Sequence, residues 1–109
     1  MCARILRTEA EKQRGLANRR SVPNNEGYLF VFNSDDKHGI WMKDMRMNID
    51  IVWIDAHKRV VSVRRDVSPS TYPEVFTPTK PARDVLELAA GGAQNLLPGQ
   101  RLEFLPDNL

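Results

Sequence analysis

Trp41-Met42-Lys43-Asp44-Met45-Arg46-Met47-Asn48-Ile49-Asp50-Ile51-Val52-Trp53-Ile54 reads as two consecutive buried strands interrupted by ionisable side chains. A charge leaves water only at a cost unless it is paired or hydrogen-bonded, so Lys43 and Asp50 are either a structural ion pair or the floor of a site. Strand alternation sends Ile49, Ile51 and Trp53 one way and Asp50, Val52 and Ile54 the other. Neither face is polar. A carboxyl beside Val52 and Ile54 must therefore be hydrogen-bonded, paired with a cation, or held protonated by desolvation. Glu87 repeats the pattern in Asp84-Val85-Leu86-Glu87-Leu88-Ala89, where it shares a face with Val85 and Ala89, opposite Leu86 and Leu88. Two carboxyls in apolar strands form an acid and base pair if they converge.

Outward from this stretch, short strands dominate. Ala3 to Arg7 suits a first strand, and Thr8-Glu9-Ala10-Glu11 has the spacing of a capping box, which predicts a helix to about Ala17. Pro23, Asn24, Asn25 and Gly27 mark a turn before Tyr28-Leu29-Phe30-Val31-Phe32, a run apolar enough for a strand buried on both faces. Asn33 to Gly39 reads as a turn, Ile40 to Lys43 and Ile49 to Ile54 as strands, and Asp55-Ala56-His57-Lys58 as a hairpin loop. The β-branched run Arg59 to Arg64 continues the sheet. Asp66 to Ala82 lacks periodicity and holds four of the seven prolines, a long loop of the kind that is usually functional or mobile. After the strand around Glu87, a single helical turn is expected over Ala93 to Leu97, and Arg101 to Phe104 alternates with Leu102 and Phe104 inward. The fold class expected is α+β, mainly β: a compact antiparallel sheet or partial barrel of about six or seven short strands with one N-terminal helix.

The 109 residues have room for one domain, with 41% hydrophobic and 28% charged residues and a formal charge of +2. No apolar run approaches the ~20 residues of a membrane-spanning helix. Arg4, Arg7, Glu9, Glu11 and Lys12 break up the start of the chain, so an export signal, if one existed, would have been removed before it; the compartment stays open. Cys2 is the single cysteine, which excludes an intramolecular disulfide or a thiolate cluster, and its terminal position makes a poor nucleophile. Residues 1–25 carry six basic and two acidic groups, yet Arg19-Arg20 is their only basic doublet, so a solvated face is the better reading than a nucleic-acid surface.

The cations available to the two carboxyls are Arg14, Arg19, Lys43 and Arg46. If several converge, their excess charge attracts an anion; if each neutralises one acid, the pairs fix strand register. Trp53 is expected in the core, whereas Trp41, on the same face as Lys43, serves equally as core or as the wall of a site. Met42, Met45 and Met47 read as gap-filling residues, and Asp35, Asp36 and His38 as turn chemistry, so no metal or cofactor is expected.

Arg14-Gly15-Leu16, Arg19, Gly27-Tyr28-Leu29-Phe30-Val31-Phe32, Trp41-Met42-Lys43-Asp44, Ile49-Asp50-Ile51 and Val85-Leu86-Glu87-Leu88-Ala89-Ala90-Gly91 follow in one ordered pattern that resembles the DUF192 family. The resemblance implies a small, mainly β domain, often exported, without an established activity. Departures from the family pattern fall at Asp44, where asparagine is usual, Met45 for threonine, Asn48 for proline, and Ala17 for methionine. The matching positions are Arg14, Arg19, Trp41, Lys43, Asp50 and Glu87. They form the candidate site of a non-enzymatic domain that binds a small polar or anionic ligand, with 66–82 as a movable rim. The alternatives are a hydrolase using Asp50 and Glu87, or an interaction module for nucleic acid or protein.

Overall fold

Thr8 starts the one α-helix among the described residues by a reciprocal cap: its side chain accepts from the Glu11 N–H, and the Glu11 carboxyl accepts from the Thr8 N–H. The computed structural model describes residues 2–104, with Cys2 described by its backbone only; the reading of the Cys2 thiol therefore lies outside the described residues. Strand β1 (Cys2–Leu6) precedes helix α1 (Glu9–Arg14), followed by β2 (Glu26–Asp36), β3 (Ile40–Trp41), β4 (Ile49–Ile54) and β5 (Val60–Val67). A 3-10 turn (Pro69–Thr71), β6 (Val75–Phe76) and β7 (Ala82–Ala89) complete the order. Five strands form an open sheet in the order β1-β2-β7-β4-β5, and β3 pairs with β6 in a separate ribbon. The expected mainly β architecture is thus present as an open sheet, antiparallel except for the parallel pair β1 and β2, which α1 connects.

Several boundaries differ from expectation for identifiable reasons. The helix stops at Arg14 rather than Ala17 because Gly15 takes φ 41, where its N–H still reaches the Glu11 carbonyl but the helix cannot continue. β2 runs on through the polar Asn33 to Asp36, since backbone pairing carries it to Asp36 opposite Ala82 across an irregularity after Val31. The long loop is partly ordered by β6, whose Val75 lies opposite Trp41 in the ribbon. The ribbon packs closely there, as a Cβ added at Gly39 would sit 2.6 Å from Val75 Cγ1. Residues 93–95 form a turn and 96–97 are irregular instead of a helical turn, and 101–104 make a single bridge, Arg101 to Arg59, instead of a strand.

β4 is apolar on both faces because the sheet is covered on both. Ile49, Ile51 and Trp53 join Tyr28, Phe30 and Val85 beneath Leu16, Met42 and Phe76. Val52 and Ile54 join Leu29, Leu86 and Leu88 beneath the C-terminal segment, through Ala93, Leu96 and Leu102. Trp53 is fully buried and donates its indole N–H to the His38 carbonyl, as a core tryptophan should.

Asp50 holds the second layer in place. One carboxyl oxygen accepts from the Asp66 N–H at 2.8 Å, and the other from the Gly91 and Ala93 N–H groups at 3.1 and 2.8 Å. Arg65 adds to the clamp by donating to the Ala93 and Leu96 carbonyls. Of the options open to Asp50, hydrogen bonding is the one realised, and its partners are backbone groups rather than Lys43. Each buried donor left without an acceptor costs about 1–3 kcal/mol. Asp50→Ala is accordingly expected to lower the unfolding free energy in urea by about 3–5 kcal/mol, a large share of the ~5–15 kcal/mol typical of a domain. A loss below about 1 kcal/mol would show that the three bonds are not an anchor.

Candidate functional site

Glu87 sits midway along β7, directly opposite Tyr28 of β2 and Ile51 of β4, and opposed residues in antiparallel strands project to the same face. That is the face covered by Leu16 and Met42. The Glu87 side chain is 5% exposed, yet it has no hydrogen-bond or ion-pair partner among the described residues. Tyr28 offers it nothing, because the phenol donates to Glu26 and accepts from Arg19. Burial without compensation pushes the Glu87 carboxyl up to about 8.

The space above Glu87 is a cavity of about 570 Å³, open to solvent, inside the ~300–1,000 Å³ range of small-molecule sites. The end of α1 and the following turn, residues 12–17, form one side, and residues 39–45 form the other. Phe30 and Phe32 line it from β2, alternating with Leu29 and Val31, which face the opposite layer. The turn descends onto Phe30 so closely that a Cβ at Gly15 would stand 2.9 Å from the ring. The two sides are joined where the Asn18 N–H donates to the Asp44 carbonyl at 2.7 Å. Asp44 has φ 59, a left-handed conformation that asparagine and aspartate tolerate better than most residues.

The charges around the cavity are unequal in availability. Lys12 is committed: its ammonium donates to the Val31 carbonyl, pairs with Glu9 at 3.1 Å and lies 4.4 Å from the centre of the Phe32 ring. Arg14 and Lys43 are exposed and have no acidic partner among the described residues. Lys43 lies 5.7 Å from the centre of Trp41, which is 47% exposed and leans on Tyr72 with ring centres 5.2 Å apart. Asp44 is the acidic group near this rim that lines the cavity with Glu87. At neutral pH the cavity therefore presents two cations without an acidic partner and the exposed Asp44 at its rim, and a largely protonated carboxyl at its base.

Four of the six sequence-derived candidates line this cavity: Arg14, Trp41, Lys43 and Glu87. Asp50 does not. It lies opposite Leu88, one register position away from the Ile51 and Glu87 pair, so it projects from the other face of the sheet. The convergent acid and base pair is corrected accordingly, and with it the ion pair of Lys43 with Asp50. Arg19 lies outside as well, bonded to the Tyr28 hydroxyl and stacked 5.2 Å from that ring. Residues 66–82 contribute no lining group; they support Trp41 from behind through Tyr72 and Val75 instead of forming a rim. Sequence reasoning missed Lys12, Phe30, Phe32 and Met45. Phe30 and Phe32 share the parity of Tyr28, but the pairing of Tyr28 with Glu87 that brings them to the cavity is a register no sequence signal carries.

Among the described residues no group of three or more His, Cys, Asp or Glu side chains is placed to hold a metal ion. The turn residues are otherwise engaged: Asp35 pairs with Arg83 at 2.7 Å, Asp36 accepts from the Lys37 N–H, and His38 stacks on Phe32 with centres 3.9 Å apart. No helix among them is long and apolar enough to cross a membrane.

The raised Glu87 value fixes a pH dependence. The folded chain holds the proton more tightly than the unfolded chain, whose glutamate titrates near 4.5, so this contribution is complete below 4.5 and is lost as pH rises to about 8. A displacement of about 3.5 at 1.36 kcal/mol each sets the span at no more than about 5 kcal/mol. Glu11 and Glu26 act in the other direction. Backbone N–H groups at Thr8 and Arg7 lower Glu11, and Tyr28 and Arg4 lower Glu26, so their stabilisation fades only below 4.5. Urea midpoints are expected to decline between pH 5 and 8 in the wild type and to run nearly level in Glu87→Gln; parallel slopes would refute the assignment.

A family model described as DUF192, "Uncharacterized ACR", matches residues 1–104. No curated protein matches the chain. Two crystal structures share its fold. One is from Sinorhizobium meliloti 1021, a protein provisionally named a transcription regulator, with TM-score 0.86, 25% identity, and coverage of 93% of this chain and 79% of that one. The other, a protein of unknown function from Novosphingobium aromaticivorans DSM 12444, has TM-score 0.84, 29% identity, and coverage of 93% and 73%. The family match extends over the sheet, both covering layers and the cavity, and the chain belongs to the DUF192 family.

Proposed function

We propose that this domain binds a small polar or anionic ligand without transforming it, in the cavity bounded by Arg14, Trp41, Lys43 and Glu87. The observation that carries the reading is the buried Glu87 carboxyl, left without a protein partner at the base of an open cavity whose rim has two cations without an acidic partner. Among the described residues the fully buried side-chain oxygen without a partner is Asp84 Oδ1, whereas the Glu87 oxygens are reached from the open cavity, so solvent or a ligand rather than the fold bonds them there. A ligand that supplies a partner relieves the cost. Asp50, the second carboxyl of the hydrolytic pair expected from the sequence, is held on the far face.

Ligand that binds only the folded chain stabilises it by about 2.7 kcal/mol at one hundred times Kd, which raises Tm by several degrees in a domain of this size. In a thermal-shift panel of sugars, nucleotides, phosphates and carboxylates, at least one anion is expected to raise Tm, with the rise lost in Arg14→Gln/Lys43→Met. Silence across the panel, together with unchanged stability of Lys43→Met, would remove the proposal.

The name given to the Sinorhizobium meliloti neighbour raises nucleic-acid binding as a second reading. The basic N-terminal quarter does not favour it. Arg4 pairs with Glu26, Lys12 with Glu9, and Arg19 with Tyr28, so much of that charge is spent within the fold. A gel shift with duplex DNA and single-stranded RNA is expected to show no salt-sensitive complex; one that weakens steeply with added salt would reverse the order of the two readings.

A further inference from the structure

The polarity of the cavity is graded along its depth, and the gradient specifies more than charge. Its rim carries Arg14 and Lys43, both exposed, and a half-exposed Trp41. Half-buried Phe32, Ile40 and Met45 follow inward, and at the level of Glu87 the lining is the buried Leu16 and Phe30. At the base the Glu87 carboxyl is again polar and has no partner. From the geometry we infer that the occupant is a small monoanion with a flat apolar body and an uncharged hydrogen-bonding group at the end opposite its charge, of which a hydroxyaryl carboxylate is the simplest example. The inference rests on the ligand-binding reading above and narrows it.

Each end and the middle exclude a different class. Inorganic phosphate meets the rim cations but leaves the aromatic lining uncovered. A neutral sugar can lay a C–H face on an aromatic ring but leaves Arg14 and Lys43 at the rim without an anion. An amine at the deep end would have to shed its water to pair with a carboxyl that the surroundings already hold neutral, and desolvating two charges offsets much of their attraction. A hydroxyl fits either protonation state, since it accepts from a carboxylic acid and donates to a carboxylate. At the other end a carboxylate suits the planar fork of Arg14, with Lys43 adding a point charge. The flat body has the half-exposed Trp41 as its stacking partner, while Phe32, already stacked on His38 and capped by Lys12, lends only its edge to the lining. Tyr28 and Ile51 flank Glu87 in the sheet, Lys12, Arg14, Lys43 and Asp44 are the charged groups on the surrounding walls, and none of them bonds to it.

Isothermal titration of the full chain with four probes separates these elements: 4-hydroxyphenylacetate, phenylacetate, 4-hydroxyphenethylamine and inorganic phosphate. The hydroxy acid is expected to bind most tightly, roughly tenfold better than phenylacetate, the value of one buried hydrogen bond. It should exceed the amine and phosphate by more than that. In Glu87→Leu the advantage of the hydroxy acid over phenylacetate should vanish while phenylacetate still binds; in Arg14→Gln/Lys43→Met both acids should weaken together. Circular dichroism establishes that each variant is folded, and Glu87→Gln, which keeps a hydrogen-bonding end, should retain most of the preference. If phosphate binds as well as the hydroxy acid and depends on Arg14 and Lys43, the anion site stands and the flat-body inference fails. Tighter binding of the amine overturns the assigned polarity. If none of the four binds, the inference fails; whether the parent reading survives is then decided by the wider thermal-shift panel.

Discussion

A single carboxyl group in the middle of the sheet organises both of its sides. Asp50 accepts three backbone N–H groups, one from the end of β5 and two from the turn after β7, and so fastens the C-terminal segment over Val52, Ile54 and Leu88. That layer is a closed core. The opposite face is covered less completely by a short helix, which buries none of its own residues, and by the segments that carry β3 and β6. Incomplete cover leaves the cavity, and the cavity is where Glu87 emerges. Two carboxyls that look alike in sequence thus have opposite fates: one is saturated by the backbone, and the other is left open.

Much of this architecture is legible in the residues themselves. The alternation around Asp50 and Glu87 places each on its correct strand face, Thr8 and Glu11 mark the helix start, and the apolar residues on both sides of Ile49 to Ile54, with Asp50 as the one polar position, announce a strand covered on both sides. What the letters do not carry is register. A shift of one residue between β4 and β7 would put Asp50 and Glu87 on the same face, and nothing within either strand distinguishes that pairing from the observed one. Nor could the partners of Asp50 be read in advance, since they are main-chain groups at Asp66, Gly91 and Ala93, and a backbone N–H has no signature in composition.

The same limit explains the mixed fate of the cations. Arg14 and Arg19 are alike in type and lie close in sequence, but the turn through Gly15 to Asn18 separates them, leaving Arg14 at the cavity while Arg19 settles on Tyr28. The polar segment Asn33 to Asp36 shows the converse. Its composition favours a turn, yet it continues as strand because the sheet partner is present, and tertiary pairing outweighs local preference.

The two tryptophans occupy contrasting settings in this arrangement. Trp53 is sealed beneath the sheet, with its indole N–H bonded to His38, whereas Trp41 stands half in water at the mouth of the cavity between Lys43 and Tyr72. The molecule therefore contains an optical gauge and its own reference. Quenchers dissolved in the buffer can reach one indole and not the other, so an occupant that covers Trp41 would register as lost quenching, and Trp53 would supply the constant background against which to read it.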